Sequence, residues 1–464
     1  MSVLEVLETT DELSNLITTY RDTFEQRVYF GGENGKTFIP KLLAEHIMEG
    51  QYFKFDGSFL YMYETGVYKE VNDIIIRKRC MSLLGNRFKK SHGDEVVHYI
   101  KVATYQNNEE LNTDTTYINV KNGLLEWKTR ELHPHTHEYF STIQLPVVYK
   151  PEAIAPNIET FFRSVVPDDT IQMVYEWFGY GMLPMTRYEK AVMLTGEGSN
   201  GKSKFIELFE RFIGSDNISN VPLQDLEHNR FKLAQIYGKL ANTFADIPSK
   251  ALEKSSVFKT VVSGDRTSAE YKGRDSFNFK PFARLMFSAN ELPRSFDLTT
   301  GFFRRWIIIP FDRKFGPGGI YADPYIMEKI TTEEELSGLL NRALDGLEWL
   351  EKQGHFTANE STNLMLEQYK LDIDNVALFV DEYCTMNPEL RTERQQLYDD
   401  YVQWCHDSGY KSMGLRKFYN RIENGFPVSV VKPHGTARVF VGIKVTFRTQ
   451  VRTTPLIAPH TEKS

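Results

Sequence analysis

The sequence predicts an α/β protein built around a parallel sheet, with smaller mixed regions before and after this core. From about residue 160 to Phe315, apolar runs of strand length alternate with helical patterns, as a parallel sheet requires. Nearer the C-terminus the order is instead helix, turn, helix and β-hairpin. The expected segments are an N-terminal α+β region (1–105), a second N-terminal segment (106–160), the core with a helical lid (161–351), a linker (352–375), a C-terminal domain (376–447) and a disordered tail (448–464).

Composition excludes several classes of protein. Of the 464 residues, 41% are hydrophobic and 25% charged, which is typical of globular chains and excludes a disordered or collagenous one. The sequence has no run of 18 uncharged apolar residues, and its acidic N-terminus lacks a signal-peptide pattern, so neither a membrane span nor secretion is expected. The three scattered cysteines, Cys80, Cys384 and Cys405, fit neither a disulfide framework nor a zinc cluster, which favours a reducing cytosol.

The segment before the core contains a predicted hairpin and a group of histidines. The run YINVKNGLLEW at 117–127 has Asn122-Gly123 between two apolar segments, a strong hairpin pattern. The alternating residues that follow could put three imidazoles on one strand face as a metal site. Pro134 and the lack of a nearby carboxylate or cysteine cluster favour a polar loop. The histidines are His133, His135 and His137.

Two helices outside the sheet are predicted from capping boxes. Thr332 with Glu335 opens one, and Thr392 with Gln395 opens the other, which Gly409 ends. The second helix has an apolar face formed by Leu397, Tyr401, Trp404 and Cys405.

The most specific motif is the run Gly196–Ser203, GEGSNGKS, a full match to the phosphate-binding pattern GxxxxGK[ST]. A buried-strand run precedes it and an amphipathic helix pattern follows it, so backbone N–H groups and the helix dipole would face phosphate oxygens. Lys202 would reach the β- and γ-phosphates of ATP, and the Ser203 hydroxyl would bind Mg²⁺. The candidate nucleotide-binding residues are Gly196, Gly198, Asn200, Gly201, Lys202 and Ser203.

Three further features follow the loop in an order typical of a P-loop hydrolase. Asp246 ends a strand that we expect beside the loop strand, where it would hold Mg²⁺ or its water. Asn290 ends another buried strand, where its amide would orient the attacking water. Arg304 and Arg305 precede a third strand and would stabilise charge on the transferring phosphoryl group.

Two basic regions favour a nucleic-acid partner despite the net charge of −7. Between Asp246 and Asn290, two β-rich arms flank Lys272-Gly273-Arg274, which indicates either an exposed hairpin with a basic tip or an ordinary solvated turn. From Lys411 to Arg452 there are nine lysines and arginines and a single acid. Here the helix–turn–helix–hairpin order predicts a winged helix, which binds either DNA or another protein.

Taken together, these residues resemble superfamily 3 helicases of the AAA+ class, in the poxvirus-type and phage or plasmid primase–helicase branch. The resemblance covers about 105–445 and rests on the 117–149 segment, GEGSNGKS, FKTVVSGD, FARLMFSANELP, FFRRWIIIPF and ELSGLLNRALDGLEWL. It implies an AAA+ core with an N-terminal collar and a C-terminal winged helix. It also implies a hexameric ring that uses ATP to translocate 3′→5′ on single-stranded DNA.

The resemblance assigns roles to individual residues. Lys202 and Ser203 match the Walker A pair, Asp246 the Walker B acid and Asn290 the sensor. Arg304-Arg305 matches the segment with the arginine finger that acts on a neighbouring subunit, and Lys272 matches the DNA-gripping lysine of the pore hairpin. The implied DNA contacts are Lys272, Arg274, Arg416, Lys417, Arg421, Lys432 and Arg438.

The chain departs from the family in two respects. Ala245 precedes Asp246 where the family has paired acids, which leaves open whether Asp246 binds the metal or activates water. The first 105 residues are too short for a primase domain, so the chain resembles stand-alone replication helicases and initiators of phages and Gram-positive mobile elements. The implied location is the cytosol of a bacterial host, and the implied partners are forked and origin DNA, identical subunits and replication proteins of the host or element.

The primary interpretation is therefore a replicative DNA helicase that uses ATP and Mg²⁺. One alternative is an initiator that melts a specific sequence but unwinds little. Another is a P-loop kinase or nucleotide switch, which would need a small-molecule pocket and no exposed basic hairpin.

Overall fold

A computed structural model describes residues 28–33, 35–106, 111–247, 252, 254–293, 295, 297–316, 319–410, 412–432 and 437–446. The tail predicted for 448–464 lies outside the described residues, as does most of the loop around Pro433. The described chain forms two compact units. The larger takes the described residues up to 247 together with 255–291 and 305–362, and the smaller takes the remainder.

The N-terminal part of the larger unit is a small antiparallel sheet, in the order β3-β4-β5, packed on helices. Asn72 caps the second helix by accepting a hydrogen bond from the Ile74 N–H. A shared apolar core includes Leu43, Leu60, Cys80, Val96 and Ile100. The elements are β1 (Phe30–Gly31), β2 (Thr37–Phe38), α1 (Pro40–Met48), β3 (Phe53–Phe55), β4 (Leu60–Glu64), β5 (Val67–Glu70), α2 (Asp73–Leu84) and α3 (Lys90–Ala103).

The predicted hairpin of the next segment is confirmed, with its turn one residue early. Strands β6 (Tyr117–Val120), β7 (Gly123–Glu126) and β8 (Glu131–His133) form an antiparallel meander. Val120 pairs with Gly123, so the turn residues are Lys121 and Asn122. Both polar groups of the Asn122 amide bond to the Tyr149 backbone, which explains why this side chain sits in the turn.

A five-stranded parallel sheet forms the centre of the larger unit, in the order β10-β11-β14-β9-β15, where β15 is Trp306–Pro310. Strands β9 and β14 are buried along their whole length, as expected for a parallel sheet covered on both faces. The elements are α4 (Pro156–Val165), α5 (Ile171–Gly181), β9 (Ala191–Thr195), α6 (Lys202–Ile213), β10 (Ile218–Ser219), α7 (Leu223–His228), α8 (Arg230–Leu233), β11 (Ala241–Phe244), α9 (Ser256–Ser263), β12 (Thr267–Glu270), β13 (Ser276–Phe279) and β14 (Arg284–Ala289).

The strand order corrects one expectation. The strand that ends near Asp246, β11, does not neighbour β9, because β14 lies between them. The chain doubles back after β11 through α9 and the β12–β13 hairpin, so the strand bearing Asn290 takes the position beside the phosphate loop. All carboxyl ends still meet at one edge of the sheet, where ligands of such sheets bind.

The lid helix has one of the two hydrogen bonds of its predicted capping box. After α10 (Thr300–Phe303), β15 (Trp306–Pro310) and α11 (Ile326–Ile330), helix α12 (Glu333–Gln353) begins with the Thr332 hydroxyl accepting from the Glu335 N–H. The Glu335 carboxylate does not return this bond. It accepts from the N–H groups of Asn157 and Ile158, at 3.1 and 3.0 Å, and so caps α4 instead.

The smaller unit contains a three-stranded antiparallel sheet in the order β16-β18-β17, packed on three helices. Its elements are α14 (Asn375–Tyr383), β16 (Cys384–Glu393), α15 (Arg394–Asp407), α16 (Leu415–Gly425), β17 (Ser429–Val431) and β18 (Val439–Val445). Leu397, Tyr401, Trp404 and Cys405 are buried together, as predicted. The predicted capping box is wrong. Thr392 lies in β16 and donates to the Ile443 carbonyl, and no side chain caps α15 in the described structure.

Most of the segment predicted as a linker is helical, since α13 (Glu360–Ile373) lies within it. None of the described helices combines the length and apolar character needed to span a membrane.

Candidate active site

The Gly196–Ser203 loop joins β9 to α6 in a conformation that requires glycine. Gly196 and Gly201 have φ of 145° and 94°. A Cβ on Gly196 would lie 2.2 Å from the Phe311 carbonyl oxygen, and one on Gly201 would lie 2.6 Å from a Val165 methyl. No atom lies within 4 Å of a Cβ on Gly198, so this part of the loop is open to a ligand. The predicted phosphate loop therefore has the backbone that its motif implies.

Helix α6 presents its first N–H groups to this loop. The helix has twelve residues, and the Asn200 side-chain oxygen accepts from the N–H of its first residue, Lys202, at 3.5 Å. The Asn200 amide nitrogen donates to the Phe311 carbonyl at 2.7 Å and so fixes the loop to the chain after β15. The other N–H groups of the first turn and the helix dipole at a glycine-rich turn form a ready anion site.

The Lys202 ammonium is buried among oxygens of the loop and of the neighbouring strand. It donates to the Gly196 and Glu197 carbonyls and to the side-chain oxygens of Asn200 and Asn290, the last at 3.3 Å. Burial lowers the pKa of Lys202 below its usual value, and the charge of Asp246 acts in the opposite direction. A partly desolvated cation with mainly neutral partners attracts an anion strongly.

The two strand-end residues lie on adjacent strands. Asp246 is exposed, and its φ of 51° is uncommon for a residue with a side chain. Ser288 of β14 holds this turn, accepting from the Asp246 N–H with its hydroxyl at 3.0 Å and from the Ile247 N–H with its carbonyl at 2.9 Å. Asn290 directly follows the same strand and contacts Lys202. An acid, an amide and a lysine thus converge, and sequence reasoning missed Ser288, which holds the turn at Asp246.

Exposed Asp246 and Ser203 offer the oxygen ligands that Mg²⁺ prefers, one at the strand end and one in the first turn of α6. Ala245 stands where the family has a second acid, and no acid is among the hydrogen-bond partners of Lys202 in the described chain. The described residues contain one three-residue group with metal-ligand spacing, Glu126, Glu131 and His133, and it lies in the β7–β8 hairpin.

The adjacent arginines have opposite environments. Arg304 is exposed, whereas Arg305 is 8% exposed. The Arg305 guanidinium donates to the Ser263 hydroxyl at 2.6 Å and lies 3.4 Å from the Glu189 carboxylate. Of the two predicted catalytic arginines, Arg304 is therefore the more exposed.

The predicted basic hairpin forms. Strands β12 and β13 pair in antiparallel register, Gly273 has a φ of 80°, and Lys272 is exposed at the tip. Arg274 is exposed as well, with its guanidinium 5.2 Å from the Phe59 ring centre. The Tyr271 hydroxyl donates to the Ala234 carbonyl at 3.2 Å and so fixes one side of the tip.

One predicted DNA contact in the smaller unit, Arg421, forms an ion pair within the chain. The Arg421 guanidinium binds the buried carboxylate of Asp374, with Nε at 2.7 Å, and is only partly exposed. Its partner lies 47 residues earlier in the chain, so sequence spacing could not reveal the ion pair. The other predicted contacts of this unit, Arg416, Lys417, Lys432 and Arg438, are exposed.

The three alternating histidines do not converge on a metal site. His135 Nε2 lies 2.9 Å from the Val120 carbonyl, and the His137 ring stacks on Tyr52 at 3.5 Å. His133 lies 3.6 Å from a Glu126 carboxylate oxygen. Each ring thus has its own partner, but Glu126 and Glu131 lie close to His133, so the expectation of no nearby carboxylate cluster is wrong.

Three family models match separate segments of the chain. A model described as D5 N terminal like matches 36–167, one described as a family of unknown function (DUF5906) matches 194–305, and one described as Poxvirus D5 protein-like matches 371–448. The middle match includes the phosphate loop, the hairpin and both arginines.

Two viral proteins are similar to parts of this chain. A candidate helicase from Acanthamoeba polyphaga mimivirus is 29% identical over 167 residues, which is 34% of this chain and 17% of the viral protein. A candidate helicase from Invertebrate iridescent virus 3 is 26% identical over 226 residues, 44% of this chain and 24% of that protein. The chain thus matches less than a quarter of the length of either relative.

Two solved structures of the C-terminal region of NrS-1, both apo, share the fold. Each has a TM-score of 0.52 and covers 87% of this chain and 99% of its own, at 12% and 13% identity. The family matches and the viral relatives support a relationship to D5-type proteins, and the structural similarity shows a common fold.

Proposed function

We propose that this chain is the ATP-driven motor of a DNA-replication helicase of the D5 type, in superfamily 3 of the AAA+ class. The observation that carries the proposal is the convergence of Lys202, Asp246 and Asn290 at one edge of a parallel sheet whose first loop has the phosphate-binding conformation. The family matches and the names of the viral relatives support a replication role.

The residues of the site divide the chemistry of phosphoryl transfer among them. Lys202 exchanges its neutral oxygen partners for β- and γ-phosphate oxygens, and the α6 terminus with the loop N–H groups binds the remaining oxygens. Asn290 orients the attacking water through its amide. Mg²⁺, held by Ser203 and Asp246, neutralises charge on the phosphates when it is bound.

Arg304 is proposed to complete the site of a neighbouring subunit, which makes the working form a ring, a hexamer by the family resemblance. The exposure of Arg304 beside the buried Arg305 supports this choice. A cation supplied across a boundary links ATP hydrolysis to the contact between subunits. Translocation 3′→5′ is part of the same proposal.

DNA contacts are proposed at two surfaces. Lys272 and Arg274 on the β12–β13 hairpin would grip single-stranded DNA in the ring. In the smaller unit the order helix, strand, two helices and two strands supports a winged helix. Arg416, Lys417, Lys432 and Arg438 would there contact phosphates of forked or origin DNA. A role as an origin-binding initiator of a phage or mobile element is compatible with this surface.

ATPase assays with and without single-stranded DNA test the proposal. We expect DNA to stimulate hydrolysis and ATP to drive unwinding of a fork with a 3′ tail. A P-loop kinase or nucleotide switch would show no stimulation by DNA. An initiator with little unwinding would show stimulation, but melting only at its own sequence.

A further inference from the structure

The buried Arg305 joins three segments of the larger unit. Its guanidinium contacts Ser263 and Glu189, and its own carbonyl accepts from the Ala191 N–H at 2.7 Å. Ser263 is the last residue of α9, and Glu189 and Ala191 flank the entry to β9. A planar guanidinium with several fixed donors suits such a junction, because each contact holds its orientation.

Ser263 connects directly to the hairpin. Only three residues separate it from β12, and Gly264, the first of them, has a φ of 73°. Helix α9 is fixed at its other end too, since the Glu227 carboxylate accepts from the N–H groups of Val257 and Phe258 at 3.2 and 2.7 Å. Helix α9 is therefore held at both ends, and its last residue, Ser263, lies between the Arg305 contact and the hairpin.

A second contact fastens α9 to the start of β15. The Phe258 ring stacks on Trp306, with ring centres 4.5 Å apart and planes at 14°. Trp306 directly follows Arg305, so two consecutive residues contact the same helix. Arg305 does so through a charged hydrogen bond and Trp306 through an aromatic stack. Arg304 immediately precedes them in the chain.

We propose that Arg305 is a positioning residue that couples the Arg304 finger to the DNA-gripping hairpin through Ser263 and α9. This inference rests on the proposed function. When Arg304 engages the nucleotide of a neighbouring subunit, the displacement of the chain at 304–306 passes to α9 and so to the hairpin base. The Glu189 contact links the same displacement to the strand that leads into the phosphate loop.

Arg284, in the same unit, has a purely structural role and serves as a comparison for Arg305. It is fully buried, and its guanidinium donates to the main-chain carbonyls of Tyr180 and Leu183 at the end of α5. Those bonds terminate one helix and reach neither the hairpin nor the phosphate loop. Arg305 instead contacts side chains from two functional segments.

Ser263→Ala tests the coupling without altering Arg305 itself, and Ser337→Ala is the matched control. Ser337 is buried, whereas Ser263 is half-buried, and it donates to the Val148 carbonyl at 2.7 Å, outside this junction. In the full-length protein we expect Ser263→Ala to keep basal ATPase and ring assembly while base pairs unwound per ATP fall by about twofold to thirtyfold, the range for residues that carry coupling. Ser337→Ala should leave this ratio unchanged.

Arg305→Lys adds a second readout, since lysine keeps a charge for Glu189 but lacks the planar fork. It should lower the same ratio and the stimulation of ATPase by DNA. If Ser263→Ala lowers Tm by more than Ser337→Ala does, the number of base pairs unwound per ATP is measured in Glu189→Gln instead. Glu189 is the other side-chain partner of Arg305. A ratio equal to wild type in Ser263→Ala, or in Glu189→Gln where that replaces it, overturns the coupling role. Absence of DNA-stimulated ATPase in the wild type instead overturns the proposed function, and the coupling with it.

Discussion

The phosphate-loop edge of the sheet and the basic surfaces hold their cations in different ways. Lys202 is buried and donates to four oxygens, each from a residue fixed by the loop or by β14. Lys272 at the hairpin tip and Arg416 in the smaller unit are exposed. A cation held in one position suits a ligand of one geometry, such as a nucleotide. An exposed lysine or arginine can change its position and contact successive phosphates along a DNA strand. Substitutions at the first region should therefore abolish chemistry, and those at the second should weaken its coupling or binding.

The largest expected effect lies at the arginine pair. Arg304→Ala should lower ATPase by about 10³–10⁵-fold, the contribution of arginine fingers in related P-loop enzymes. Because the finger acts on a neighbour, mixing Lys202→Ala subunits with Arg304→Ala subunits should restore part of the activity. Mixed rings contain interfaces with an intact loop on one side and an intact finger on the other.

Arg305→Ala is the control for that mixing experiment. Its side chain is buried within its own subunit, so it should act there and not across the boundary. Mixing should be shown independently by subunit exchange. If neither arginine variant complements Lys202→Ala in mixed rings, the site is completed within one chain and the shared-site ring is wrong.

Lys202→Ala should come next in size, with a loss of ATP hydrolysis of about 10²–10³-fold. Lys204→Ala is the matched control two residues on, where an exposed lysine pairs with Glu207 at 3.0 Å. Turnover of purified protein, with thermal unfolding to check the fold, measures both. Similar rates for the two variants would remove the Gly196–Ser203 loop from the active site.

Sequence reasoning reached the sites where function constrains the backbone. The glycines of the loop, the polar strand ends and the basic hairpin follow from local patterns, and the structure has each of them. It failed where a side chain finds a partner far away in the chain. Glu335 caps α4, although local spacing predicted a capping box, and Arg421, a DNA contact implied by the family resemblance, binds Asp374. No window of neighbouring residues contains those pairs.

The same limit applies to strand order and to the arginine pair. The alternation of strands and helices predicts a parallel sheet, but the insertion of β14 between β9 and β11 depends on how the chain returns after the hairpin. Arg304 and Arg305 are identical in type and adjacent. Only the packing against Ser263 and Glu189 distinguishes the buried residue from the exposed one.

Lys272→Ala should have a smaller effect that separates DNA handling from chemistry. We expect basal ATPase to stay near wild type while fork unwinding falls by about tenfold or more, the effect of losing one hydrogen bond to a charged group. Lys280→Ala, an exposed lysine just after β13, is the control. Unwinding and DNA stimulation that both survive Lys272→Ala would make the tip an ordinary solvated turn.

The smallest expected effects distinguish the two kinds of arginine in the smaller unit. Arg421→Ala leaves the buried Asp374 carboxylate without its guanidinium, so we expect unfolding free energy to fall by about 1–3 kcal/mol.

Arg416→Ala should leave stability unchanged, because this side chain is exposed. It should instead weaken duplex binding and lower the salt dependence of the binding constant by about one unit of slope, the signature of one lost phosphate contact. Thermal unfolding and binding at several salt concentrations measure both variants. An unchanged slope in Arg416→Ala would favour a protein partner for this unit over DNA.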